Sequence, residues 1–183
     1  IIAYHSWDDF EDADRNTNAP NIIMTGSLDG NVSAIKVSPF TTDSSTIFVG
    51  TESGSVFKVT NADTADANDN STANWSNITG SQFLGSVSDI EFGKDENHIF
   101  VTFHNYGVEN IFYSEDGGQS WAEKEGNLPD IPVRCILQNP LSLNEVIIGT
   151  ELGVWYTKNF ESDNPDWSRA NSGMSDVRIT DLD

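Results

Sequence analysis

The apolar positions of this chain fall in short runs, and none keeps the 3.6-residue period of an amphipathic helix. Three runs, at 46–51, 98–103 and 145–150, are almost continuously apolar, the pattern of strands buried on both faces. Each is followed by a segment rich in β-branched and aromatic residues, at 55–60, 110–114 and 154–157. Each is preceded by a shorter one, at 32–35, 87–90 and 133–136. Trp75, Trp121 and Trp167 follow the third segment of each unit, spaced 46 residues apart. The units therefore read as four strands, A to D, repeated. Short antiparallel strands on a period of about 40 to 50 residues are the sequence form of a β-propeller blade, whose sheets pack face to face around an axis.

The expected fold is all-β: about three complete four-stranded antiparallel blades with partial blades at both ends, part of a larger propeller. Residues 1–30 read as a partial blade, with strands C and D at 1–6 and 21–25 joined by an acidic loop. Blades follow at 31–85, 86–131 and 132–175, and 176–183, with Val177, Arg178 and Ile179, reads as the first strand of the next. A ring needs about four to eight blades. The expectation is thus an arc, completed by the rest of a parent propeller or by another chain, and the start at Ile1 looks like a cut end. Equal spacing further predicts that the three tryptophans cover the bases of equivalent outer hairpins.

Charge narrows the partners. Nine Lys+Arg against 29 Asp+Glu leave a net charge of −20, a field that repels phosphate backbones and anionic headgroups. Nucleic acid is excluded as a partner. No apolar stretch approaches the roughly 18 residues of a spanning helix, so membrane insertion is not expected. The single cysteine, Cys135, sits in an apolar run and reads as a buried thiol. No cofactor is expected. Calcium is the one ion the acidic loops suggest, through Asp8, Asp9, Glu11, Asp12 and Asp14 in one and Asp63, Asp66 and Asp69 in the other. Neither shows the D-x-D-x-D-G spacing that folds ligands around one ion, and a solvated loop is the plainer reading. Asn31, Asn70, Asn74 and Asn77 lie in glycosylation sequons, weak signals in loops rich in Asn and Ser.

One hairpin carries a motif. Between strands C and D of the middle unit, residues 114–121 fit S-x-D-x-G-x-x-W, with Ser114, Asp116, Gly118 and Trp121 at the defined positions. Ser and Asp side chains can bond the backbone of a tight turn, and Gly supplies positive φ. The element resembles the Asp-box, or BNR repeat, of sialidases, sortilin-type receptors and xyloglucanase-type glycoside hydrolases. The resemblance implies a peripheral, structural motif, so Asp116 is read as a turn residue and not a general acid. In the flanking units, 60–62 and 157–159 lack the Asp while the Trp survives. Residues 127–134 and 148–155 are similar to phrases in secreted propeller proteins of marine Bacteroidetes exported by a type IX route, which implies an extracellular or cell-surface location.

In such propellers the B-to-C and D-to-A loops share one face near the axis, where ligands bind. That places Glu52, His104, Asn105, Tyr106, Glu109, Asn127, Asp130 and Glu151 there, with Arg134 just inside strand A. For Glu52 and Glu151 the plainer reading is a solvated turn residue, because 51–54 and 150–153 both end in Gly. Catalytic residues are not assigned. A sialidase needs an arginine cluster and a Tyr-Glu pair, but the arginines are only Arg15, Arg134, Arg169 and Arg178. A glycosidase needs two carboxylates roughly 5 to 9.5 Å apart, which sequence cannot pair. The expected function is a non-catalytic module binding a polysaccharide or a protein. A glycoside hydrolase is the alternative, and a sortilin-like peptide receptor the third reading.

Overall fold

A computed structural model describes residues 2–4, 21–23, 28–62, 73–170, 172–173 and 176–182. The acidic loop candidates Asp8, Asp9, Asp12 and Asp14, and Asp63, Asp66 and Asp69, lie outside these residues. The fold is all-β, with no α-helix among the described residues. Strands β1 (Ile2–Tyr4) and β2 (Asn21–Ile23) pair antiparallel. Three four-stranded antiparallel sheets follow, each with its strands adjacent in chain order. The first comprises β3 (Val32–Val37), β4 (Ile47–Thr51), β5 (Val56–Thr60) and β6 (Asn74–Asn77). The second comprises β7 (Val87–Phe92), β8 (Ile99–Phe103), β9 (Ile111–Ser114) and β10 (Ala122–Glu123). The third comprises β11 (Val133–Gln138), β12 (Val146–Thr150), β13 (Gly153–Thr157) and β14 (Ser168–Arg169). These are blades of a β-propeller.

The first strand of every blade carries the same irregularity, a register shift between Val32 and Ala34, Val87 and Asp89, and Val133 and Cys135. An unbroken strand would send residues three apart to opposite faces. The extra residue of a bulge, here Ser33, Ser88 or Arg134, restores Val and Ile to one face. In the second and third blades Val87 and Ile90, and Val133 and Ile136, are accordingly all buried.

Neighbouring blades pack through these faces. Between the first and second, Phe48 and Val56 meet Val87, Ile90 and Phe92, with the Phe48 and Phe92 rings 5.0 Å apart. Between the second and third, Phe100 and Ile111 meet Val133, Ile136, Ile148, Phe160 and Trp167. The middle strands β8 and β12 are buried almost throughout, as continuous apolar runs require. Cys135 is a buried free thiol whose pKa burial pushes up to about 11.

The tryptophans fall in register: Trp75 stands opposite Val59, and the residues after each Trp pair as Ser76 with Lys58, Ala122 with Tyr113 and Ser168 with Tyr156. Their rings do more than cover their own hairpins. Trp121 Nε1 donates to the Ile78 carbonyl at 2.8 Å and Trp167 Nε1 to the Lys124 carbonyl at 3.1 Å, each on the outer edge of the preceding blade. The expected strand at the carboxy-terminal end is not formed. Residues 176–182 make no sheet ladder, although Ile179 N–H donates to the Thr150 carbonyl and its side chain lies over Gly149, as Val87 lies over Gly50.

Candidate binding face

Three equivalent backbone bonds gather the loops at one edge of the blades. Glu52 N–H donates to the Asn31 carbonyl, His104 N–H to that of Ser86 and Glu151 N–H to that of Pro132. Each B-to-C loop is thereby tied to the segment leading into strand A. Gly54 and Gly153 close the first and third of these turns, both with φ of 93°, a conformation that excludes side chains at little cost only for Gly.

At this edge three polar side chains from two blades meet. Glu151 Oε1 accepts from His104 Nε2 at 2.6 Å and from Arg134 Nε at 2.6 Å. The Arg134 side chain reaches it because the bulge turns this residue out of the strand alternation. The His104 hydrogen bond, with Arg134 second, holds the Glu151 carboxyl below the usual carboxylate range. Glu151 is thus a bridge between blades and not a solvated turn residue. The Glu52 side chain does fit that plainer reading, being exposed and accepting from Asn31 Nδ2 at 2.9 Å.

Beside the cluster lies a cavity of about 440 Å³ lined by Gly107, Glu109, Glu123, Glu125, Leu128 and Asp130, among others. Asp130 Oδ1 accepts from Gly107 N–H at 2.6 Å, and Tyr106 stands 64% exposed at the rim of the same loop. Glu125 is buried, with Oε2 accepting from Asn110 N–H at 2.7 Å. Burial raises its pKa to about 7, against the lowering effect of that bond, with Glu109 adding to the rise. Burial also raises Glu109, helped by Glu123, whose carboxyl shares a hydrogen bond with it. Glu123 and Glu125 were not singled out in sequence, where 122–125, Ala-Glu-Lys-Glu, carries no site motif. The remaining candidates take structural roles. Asn105 Oδ1 accepts from Ser86 N–H at 2.6 Å, and Asn127 is engaged by the outer hairpin of the next blade, accepting from Trp167 N–H at 2.5 Å.

The turn at 114–121 lies away from this face. Asp116 Oδ1 accepts from Ser114 Oγ at 2.8 Å and from Ser120 N–H at 2.8 Å, while Oδ2 accepts from Ser120 Oγ at 2.6 Å. Gly118 holds φ of 89° with the Ile78 side chain where a Cβ would be. The Ser120 bonds, then Ser114, lower the Asp116 pKa to about 2. A carboxyl depressed in the fold stabilises it above its unfolded pKa of about 4, and that contribution is lost as pH falls toward 2. Asp116→Asn is therefore expected to lower the melting temperature at pH 7 and to matter less at pH 2.5; equal losses at both pH values would argue against this role. In the third blade the same turn is rebuilt with an amide. Thr157 Oγ1 donates to Asn159 Oδ1 at 2.8 Å, which also accepts from Asp166 N–H at 2.9 Å. The signal was Thr-x-Asn standing in the place of Ser-x-Asp.

No protein-family model matches the chain, and no curated protein sequence does. Among solved structures it is similar to the crystal structure of an ancestral GH74 enzyme, with a TM-score of 0.56 and 23% identity over 82% of this chain. The match spans 20% of that enzyme's length. At this identity the likeness concerns the fold, and it agrees with the three sheets in making this chain a run of β-propeller blades.

Proposed function

We propose that this chain is a non-catalytic propeller module that binds a polysaccharide through the face formed by the B-to-C and D-to-A loops. The observation that carries the reading is the mouth itself: the exposed Tyr106 ring beside a carboxylate-lined cavity of about 440 Å³. Aromatic faces stack on sugar rings, and carboxylates accept from hydroxyls. Protein is the other class of partner such a face could take. The 114–121 turn is in this reading an Asp-box with a structural duty. The setting in this reading is extracellular or at the cell surface, as type IX cargo in the manner of marine Bacteroidetes propeller proteins, and the remaining blades come from a parent propeller or another chain.

The glycoside hydrolase reading draws on the likeness to the GH74 enzyme and on Glu125, whose raised pKa suits a general acid. Against it, Glu109 and Glu123 share a hydrogen bond and are too close for the roughly 5 Å or more that separates a catalytic pair. Glu151, for its part, is held by His104 and Arg134. Calorimetric titration with neutral β-glucan oligosaccharides tests the binding reading. Tyr106→Ala is expected to weaken affinity about tenfold with the melting temperature unchanged. Equal affinity of the variant would remove Tyr106 from the site, and saturable binding to peptides with none to glycans would favour the receptor reading.

A further inference from the structure

The three B-to-C connections differ in length. Residues 52–55 join β4 to β5 and 151–152 join β12 to β13, whereas 104–110 join β8 to β9. The longer middle loop carries Tyr106, whose side chain is 64% exposed. The backbone of such a loop finds few ladder partners, and here side chains supply them. Asn110, fully buried, closes the loop from inside. Its N–H donates to Glu125 Oε2 at 2.7 Å and its Nδ2 to the Val108 carbonyl at 3.0 Å, while its Oδ1 accepts from Asn105 N–H at 3.4 Å.

The two residues that flank the tyrosine are tied to two different D-to-A segments. Asn105 Oδ1 accepts from Ser86 N–H at 2.6 Å, in the segment that enters the second blade. Gly107 N–H donates to Asp130 Oδ1 at 2.6 Å, in the segment that enters the third. Gly85 makes room for the first tie, since a Cβ there would collide with the Asn105 amide. Tyr106 therefore hangs from a backbone fixed on both sides. Resting on the sugar-binding reading, we infer that Asn105 and Asp130 are positioning residues for Tyr106, holding its backbone in the binding form before a ligand arrives. Only the two side-chain torsions of the tyrosine are then left to order, whereas every further group frozen on binding costs affinity. Each residue acts through one oxygen that accepts a backbone N–H. The conservative variants Asp130→Asn and Asn105→Asp keep that oxygen, and the alanine variants remove it.

Backbone nitrogen relaxation of the ligand-free protein, measured by nuclear magnetic resonance, reads the positioning directly. In the unaltered protein the Tyr106 N–H is expected to show an order parameter of about 0.85, the value of rigid backbone. In Asp130→Ala and in Asn105→Ala it falls below about 0.6, and both conservative variants restore it. Asp130 is exposed, so its variants are expected to fold, with melting temperatures within about 2 °C of the parent. Calorimetric titration with the neutral β-glucan oligosaccharides is the second arm. Both alanine variants are expected to bind about fivefold more weakly, and both conservative variants to stay within about twofold of the parent. A Tyr106 N–H that is already flexible in the unaltered protein, or that stays ordered in both alanine variants, overturns the inference. Weaker binding with Tyr106 still ordered would mark a direct ligand contact, and lost order with affinity unchanged would mean that the held loop does not serve binding; either result contradicts positioning. Absence of binding by the unaltered protein would instead remove the sugar-binding reading, while the order parameters still decide whether the two ties hold the loop.

Discussion

Truncating Trp167 to alanine is expected to lower the unfolding free energy by about 3–5 kcal/mol, the range for large aromatic deletions in a core. The ring is 3% exposed and lies against Phe160, which in turn packs on Phe100 and Tyr113 of the preceding blade. Its removal opens a cavity at the blade interface and leaves the Lys124 carbonyl without its donor. Trp121 keeps the same bond, to Ile78, but its ring is only partly buried. The Trp121→Ala loss should therefore be smaller, about half. Urea unfolding of the two variants side by side checks this ranking. A loss below about 1 kcal/mol for Trp167→Ala would mean that the interface does not hold the third blade.

The second large effect is a gain. Glu125 sits in the fold with its pKa raised to about 7, so its ionisation opposes folding. Below the unfolded pKa of about 4 the group is protonated in both states and costs nothing. As pH climbs from about 4 through 7 the unfolded chain ionises first and the fold loses stability. Glu125→Gln keeps an acceptor for Asn110 N–H and removes the charge. It is expected to stabilise the protein by about 3 kcal/mol at pH 8 and by almost nothing at pH 4. Melting curves at the two pH values measure the difference. A Gln variant no more stable than the parent at pH 8 would show that Glu125 is solvated or paired.

The strands were legible because their composition matches their burial. The runs at 98–103 and 145–150 are nearly continuous in apolar character and hold the middle strands β8 and β12, which are buried almost throughout. The tryptophan register was legible for the same reason, since equal spacing in a repeat implies equal packing. The bulge, too, has a sequence signal: Val and Ile three apart in each first strand cannot share a face unless a residue is extra. It matters for the site, because it is what frees Arg134 to meet Glu151. Asn159 can stand where the middle unit has Asp116 because the turn needs only an acceptor oxygen, which an amide supplies as a carboxylate does.

The site was legible in part. His104, Arg134 and Glu151 were placed on one face by the loop arrangement of the resembling propellers, and their side chains meet. Glu125 was not foreseeable, because its burial and its bond to Asn110 N–H are tertiary events that the local sequence Ala122-Glu123-Lys124-Glu125 does not encode. Asn127 shows the opposite error. Its neighbours suggested the ligand face, yet its side chain is consumed by the backbone of Trp167.

Size-exclusion chromatography with light scattering, run on the protein after prolonged incubation with a soluble neutral polysaccharide such as xyloglucan or laminarin, tests the central claim most directly. The run reads association and chain length together. A binding module should co-elute with at least one such polysaccharide whose mass is unchanged, and Tyr106→Ala should lose the co-elution. Shortening of the polysaccharide, abolished by Glu125→Gln, would contradict the account and make this face an active site.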